Sequence, residues 1–240
     1  MNKWIVKFML TVALLFSTAV QAETFTLLTE ALPPYAYKSN GQLKGVAVDI
    51  VSQLFRNAGF DYKVRIVPWK RAYTIAYEQS NTCVFPVQRN QEREAEFHWV
   101  SPLLITQTAF YTNANSKVEI RTLNDVANLN IGSYLGSATA QYLESQGFKV
   151  EETTRDEQNI LKLKSKRIDV WATDVLVANY LLKQEKLSKE IKNRLAYFST
   201  LRGLACNKTA SSSDIDRLSD ELRKMYLDGS VERIIKKYSD

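Results

Sequence analysis

Residues 83–103 read CVFPVQRNQEREAEFHWVSPL. The apolar run 83–87 has the length and composition of a buried strand. It ends in a polar, turn-rich segment that delivers two guanidiniums, Arg89 and Arg93, to the strand's carboxyl end. In open α/β sheets that edge is where ligands sit. A guanidinium has a definite use there, because its planar fork grips a carboxylate through two parallel hydrogen bonds and does not lose its proton. A second apolar run, 97–104, leads away from the turn.

Ahead of this stretch the chain begins MNKWIVKFMLTVALLFSTAVQA, with Lys3 and Lys7 around the start of an apolar run and small residues near its end. A basic region, an apolar region and a small-residue cleavage site predict a secretory signal peptide, residues 1–22, cut before Glu23. The apolar run is short for a membrane span and is interrupted by Thr11, Ser17 and Thr18. No cysteine near the cut suggests a lipid anchor. About 218 residues remain, enough for one large domain or two lobes of roughly 100 each.

Losing Lys3 and Lys7 lowers the formal charge from +6 to +4, and the remaining basic residues are interspersed with acidic ones. That pattern is a solvated surface and argues against nucleic-acid or membrane binding. The sequence holds two cysteines, Cys83 and Cys206, and one histidine, His98. Those three residues fall short of a usual metal-ligand set, so neither metal nor cofactor is expected.

Strand-like and helix-like runs alternate along the chain. Strands are predicted over 25–29, 62–69, 149–154 and 203–207, with extended crossing segments over 106–113 and 193–200. Helices are predicted over 46–58, 122–127, 138–145, 156–166, 175–183, 213–227 and 231–238. A glycine-serine turn, Gly136-Ser137, opens the helix at 138 and offers free N–H groups and a hydroxyl to an anion. Asp174 stands where a strand ends and a helix begins, a place that suits a helix cap as well as a ligand contact. Repeats and low-complexity tracts are absent from the sequence.

Several of these stretches resemble the extracellular solute-binding proteins of polar amino-acid uptake systems. Glu92-Arg93, Trp99 and Pro102 follow that family's E-R pair, aromatic and proline. The segment LPPYAYKSNGQLKGVAVDIV resembles its opening, although Val46 and Ala47 replace an aromatic and an acidic residue. The run RIDVWATD, ending at Asp174, and the closing DGSVERIIKKY are similar to its later motifs. The resemblance covers nearly all of the chain after the signal segment.

It implies an α/β, two-lobed periplasmic-binding-protein fold of type II, each lobe a mixed sheet flanked by helices, joined by two crossing strands. Lobe 1 would take 23–108 with 201–240, and lobe 2 would take 109–200. In such a fold the returning strand lies beside the one carrying Cys83, so Cys83 and Cys206 would form either a disulfide or two buried thiols. The resemblance makes Arg93 the clamp for a ligand carboxylate, with Arg89 as an alternative anchor. Tyr35 or Tyr37 would form one aromatic wall and Trp69 another, with Gly136 and Ser137 a second carboxylate holder. The Pro86 carbonyl and the Asp174 carboxylate would take an ammonium group. The family's threonine in the turn is replaced by Gln88, and Arg89 adds positive charge, which makes an acidic or dicarboxylic ligand plausible beside a standard amino acid.

The expected activity is capture without catalysis: a monomeric periplasmic protein closing on a small amino-acid-like ligand and presenting it to an ABC permease. Two alternatives are an orphan or sensory binding module and an enzyme resembling cyclohexadienyl dehydratases. Neither a Ser/His/Asp set nor a pair of catalytic carboxylates stands out in the sequence, which weighs against the enzyme.

Overall fold

Two strands of 16 residues, β6 (His98–Asn113) and β10 (Ile191–Cys206), pair antiparallel along nearly their full lengths. The computed structural model describes residues 24–239; the expected signal peptide lies outside them. On one side of the long pair, β5 (Thr82–Gln88) runs antiparallel to β10, with β1 (Phe25–Thr29) and β4 (Tyr62–Ile66) parallel to β5 beyond it. On the other side, β9 (Val170–Asp174) runs antiparallel to β6, followed by the parallel strands β7 (Ile131–Tyr134) and β8 (Val150–Thr153). The result is a mixed sheet of order β4-β1-β5-β10-β6-β9-β7-β8. Its two halves are the two lobes, and β6 and β10 pass between them.

Parallel neighbours need crossover connections, and helices supply them. In the first lobe these are α1 (Val46–Ala58) and α2 (Trp69–Glu78), after which one turn of helix, α3 (Gln91–Glu94), follows β5. In the second they are α4 (Ala138–Ser145) and α5 (Asp156–Lys164), and α6 (Val175–Gln184) follows β9. The chain ends in α7 (Ser212–Leu227) and α8 (Ser230–Ser239). Helix α1 buries Ile50, Val51, Leu54, Phe55 and Ala58, one face of a 3.6-residue period, and stops at Gly59 in the left-handed region. Its start is fixed by Gly45, where a Cβ would lie 2.1 Å from the Tyr35 carbonyl oxygen.

The elements differ from the sequence expectations in a few places. The strand expected over 62–69 ends at Ile66, because Trp69, following Pro68, already opens α2. The runs expected as separate pieces, 97–104 with 106–113 and 193–200 with 203–207, are one strand each. Pro102 and Gly203 interrupt neither, because the register shifts between Arg202 and Leu204 and absorbs both. The helix expected over 122–127 is a 3-10 turn, Leu123–Val126. A hairpin of β2 (Tyr37–Ser39) and β3 (Gln42–Lys44) turns on Asn40-Gly41, both with positive φ. Asn-Gly flanked by extended residues is a strong hairpin signal, and this hairpin was not among the predicted elements.

Cys83 and Cys206 face each other in the β5–β10 register and are joined by a disulfide with an S–S distance of 2.07 Å. The bond ties the returning chain to the first lobe. Among the described residues no helix is long and apolar enough to cross a membrane, and no group of His, Cys, Asp and Glu could hold a metal ion.

Candidate functional site

Within each lobe the parallel strands point their carboxyl ends toward the other lobe. Gln88 at the end of β5 and Glu30 just past β1 therefore meet Tyr134 and Asp174, at the ends of β7 and β9, around a cavity of about 50 Å³. Of the expected ligand residues, Trp69, Pro86, Arg93, Ser137 and Asp174 line this cavity. Glu30, Asp156 and Arg202, which the sequence reading did not single out, line it too.

Arg93 reaches the cavity because Asn90 caps α3, its side-chain oxygen accepting from the Arg93 N–H at 3.0 Å, and the turn points the guanidinium inward. The side chain is buried and sits 5.4 Å from the ring centres of both Trp69 and Tyr73. It donates to the Gln88 carbonyl at 3.4 Å, the Gly136 carbonyl at 3.3 Å and Gln141 Oε1 at 2.8 Å. All three acceptors are neutral, so Arg93 is a buried cation with no carboxylate in salt-bridge contact among the described residues. Burial accordingly lowers its pKa, countered by the nearby Tyr73 and Glu92.

Arg89 lies elsewhere. Its guanidinium forms a two-point pair with Glu94, at 2.7 Å and 2.6 Å, in a half-exposed position over Trp99. The geometry thus brings Arg93, and not Arg89, to the cavity.

Trp69 closes one wall, its indole N–H donating to the Gly136 carbonyl at 3.0 Å. Gly136, at φ +66°, turns that carbonyl toward Trp69 and Arg93 while its own N–H donates to Glu152 Oε1 at 2.6 Å. The Ser137 hydroxyl caps α4, accepting from the Ala140 N–H at 3.0 Å. Its proton remains available to a ligand oxygen. Tyr35 is fully buried behind the cavity wall and is not a lining residue; its hydroxyl donates to Asp174 Oδ1 at 2.8 Å.

Asp174 is the most heavily bonded group of the site. Oδ1 also accepts from the backbone N–H groups of Leu176 at 2.9 Å and Val177 at 3.3 Å, capping α6. Oδ2 accepts from Arg202 Nη2 at 3.1 Å. Arg202 is itself buried, donates from Nε to Thr106 Oγ1 at 3.3 Å, and lies 4.5 Å above the Tyr35 ring. Burial disfavours its charge, but Tyr35 and Asp174 outweigh burial and its pKa is raised.

Two further carboxyl groups are pressed upward in pKa. Burial raises Glu30 to about 7, opposed by the hydrogen bond from the Tyr134 hydroxyl and by the charge of Arg202. Burial raises Asp156 to about 6, opposed by donors from Trp171, Asn159 and Thr173 at 2.9, 3.3 and 3.2 Å. With Tyr134 they also border a wider, apolar opening of about 620 Å³ lined by Ile66, Val67 and Pro68. Signals for two of the missed residues were present. Glu30 directly follows the strand predicted over 25–29, and Arg202 stands immediately before the apolar run that opens the returning strand predicted over 203–207.

A two-lobed mixed sheet, two crossing strands and a polar cavity between the strands' carboxyl ends define the class of bilobal periplasmic binding proteins. The chain belongs to the bacterial extracellular solute-binding proteins, family 3, whose family model matches residues 26–240. It is 21% identical over 210 residues to the L-cystine-binding protein TcyJ of Escherichia coli (strain K12), covering 86% of this chain and 78% of that one. Similar solved structures include an ancestral arginine-binding protein bound to arginine, with a TM-score of 0.79, 23% identity, and 90% of this chain and 98% of that one covered. A histidine kinase sensor domain similar to periplasmic binding proteins has a TM-score of 0.83 and 16% identity, with 90% and 96% covered. These structures share the fold.

Proposed function

We propose that this protein works in the periplasm as the capture component of an ABC-type uptake system, closing its lobes on a small amino-acid-like carboxylate ligand and handing it to a permease. The observation that carries this reading is Arg93: a buried guanidinium on the cavity wall, satisfied only by neutral acceptors and aromatic faces. A ligand carboxylate supplies the missing counter-charge, and an ion pair formed in a closed, low-dielectric cavity is strong if its hydrogen bonds are complete. Trp69, Gly136, Ser137 and Pro86 complete the first contacts in this reading. The naming of the cystine-binding relative supports an amino-acid-like ligand.

In this reading the lobes divide near 108/109 and 200/201. Pairing supports that division, since β6 meets β9 from Thr108 onward and β10 meets β5 from Arg202 onward. Ligand contacts from both sides then favour the closed arrangement.

A thermal-shift and calorimetric screen of the mature chain against amino acids and small carboxylates tests the proposal. A ligand that binds only the folded state at 100 times its Kd adds about 2.7 kcal/mol of stability and raises Tm. Arg93→Ala is expected to weaken that ligand by about 2 kcal/mol or more. A screen without a binder, or an Arg93→Ala protein that binds as the parent does, would sink it.

A further inference from the structure

The carboxylate at the end of β9 has little capacity left. Asp174 Oδ1 takes three donors, from Tyr35, Leu176 and Val177, and Oδ2 is ion-paired with the buried Arg202. An ammonium group brought to Oδ2 would meet the Arg202 guanidinium beside it, a like charge in a buried setting.

Glu30 presents the opposite situation. It is 8% exposed, lines the same cavity as Arg93, and one of its oxygens accepts from the Tyr134 hydroxyl. Its other oxygen has no hydrogen-bond partner among the described residues. Buried carboxylates are normally paired, so an unengaged oxygen on a cavity wall is an acceptor facing whatever fills the cavity. The charged groups around it are Arg202, Asp156 and Arg93.

We propose that Arg202 closes Asp174 to the ligand and that Glu30, steadied by Tyr134, receives the ligand's ammonium group, so that a zwitterion spans Arg93 and Glu30. The inference rests on the reading of the cavity as the capture site for an amino-acid-like ligand. Asp174 then becomes a positioning residue: it holds Arg202 and Tyr35 and caps α6, and its effect on binding reaches the ligand through them. The raised pKa of Glu30, about 7, adds a signature. Its ionised form binds the ammonium group, so affinity for a zwitterion rises with pH through the range around neutrality.

The test compares matched pairs, each an amino acid with its 2-oxo and 2-hydroxy analogues, by calorimetry on the mature chain and two variants. The parent is expected to bind the ammonium-bearing member of a pair at least tenfold more tightly. Glu30→Gln should erase most of that preference, weakening the amino acid about tenfold while changing the analogue less than about threefold, and should flatten the pH profile. Asp174→Asn should weaken both members by the same factor. If Asp174→Asn loses only the ammonium-bearing ligand, Asp174 is the ammonium holder and the proposal falls; it falls equally if Glu30→Gln affects both members alike. Should Asp174→Asn fail to fold, the parent and Glu30→Gln still decide the matter. Tighter binding of the ammonium-free analogues by the parent would also overturn it, leaving carboxylate capture intact; binding of neither set would overturn both readings.

Discussion

Asp156 shows how a single residue couples this site to stability. Its carboxyl is buried and its pKa is raised from the usual 3.8 to about 6, so between those values the folded chain holds a proton that the unfolded chain has released. Folding is therefore favoured at the acidic end, and stability falls as pH rises from about 4 to about 6, levelling above. Glu30, raised to about 7, extends the decline to about 7. Asp156→Asn removes one of the two titrations and should make the fall over that range shallower by about 2–3 kcal/mol. Urea unfolding at several pH values between 4 and 8 measures it, and an unchanged slope would refute the assignment. Arg93 was legible because its turn follows a strand in a pattern visible in sequence. Arg202 was overlooked because a charge just ahead of an apolar run shows its purpose only once the folded sheet brings Asp174, two strands away on β9, within 3.1 Å.

At the scale of elements, β5 and β10 are joined by the disulfide as well as by their ladder. Cys83 and Cys206 are 123 residues apart in sequence, so the bond removes a large share of the unfolded chain's freedom. Replacing both cysteines with alanine should cost about 2–5 kcal/mol, read by chemical denaturation; a loss below 1 kcal/mol would show that the ladder alone fixes the pair. The bond lies at the far end of β5 from Gln88, so the double variant should keep ligand affinity. Most elements could be read from periodicity, since α1 and α7 carry apolar residues at helical spacing and end at glycine-containing stops, Gly59 and Asp228-Gly229. The long strands could not, because Pro102 and Gly203 are breakers by themselves and only their mutual register accommodates them.

For the whole molecule, the relation between the lobes governs capture. Trp69 donates across the cleft to the Gly136 carbonyl at 3.0 Å, a hydrogen bond made only when the lobes are together. Trp69→Phe keeps the aromatic wall and removes the donor. One such bond is worth about 1 kcal/mol, so the closed-to-open ratio should fall about fivefold and the ligand affinity by up to the same factor. Calorimetry reads the affinity and small-angle scattering the compactness; an unchanged Kd would mean that this contact does not govern closure.

Local chemistry in the sequence determined most of the helices and the shorter strands, and that a guanidinium stands at a strand's carboxyl end. Those properties depend on neighbours within a few residues, where apolar spacing, caps and breakers act. Only the tertiary structure decided that Arg93 faces the cavity and Arg89 the surface, that Asp174 is ion-paired with Arg202, and that Glu30 joins the site. Each of these depends on residues brought together from distant parts of the chain, whose burial and pairing no local pattern records.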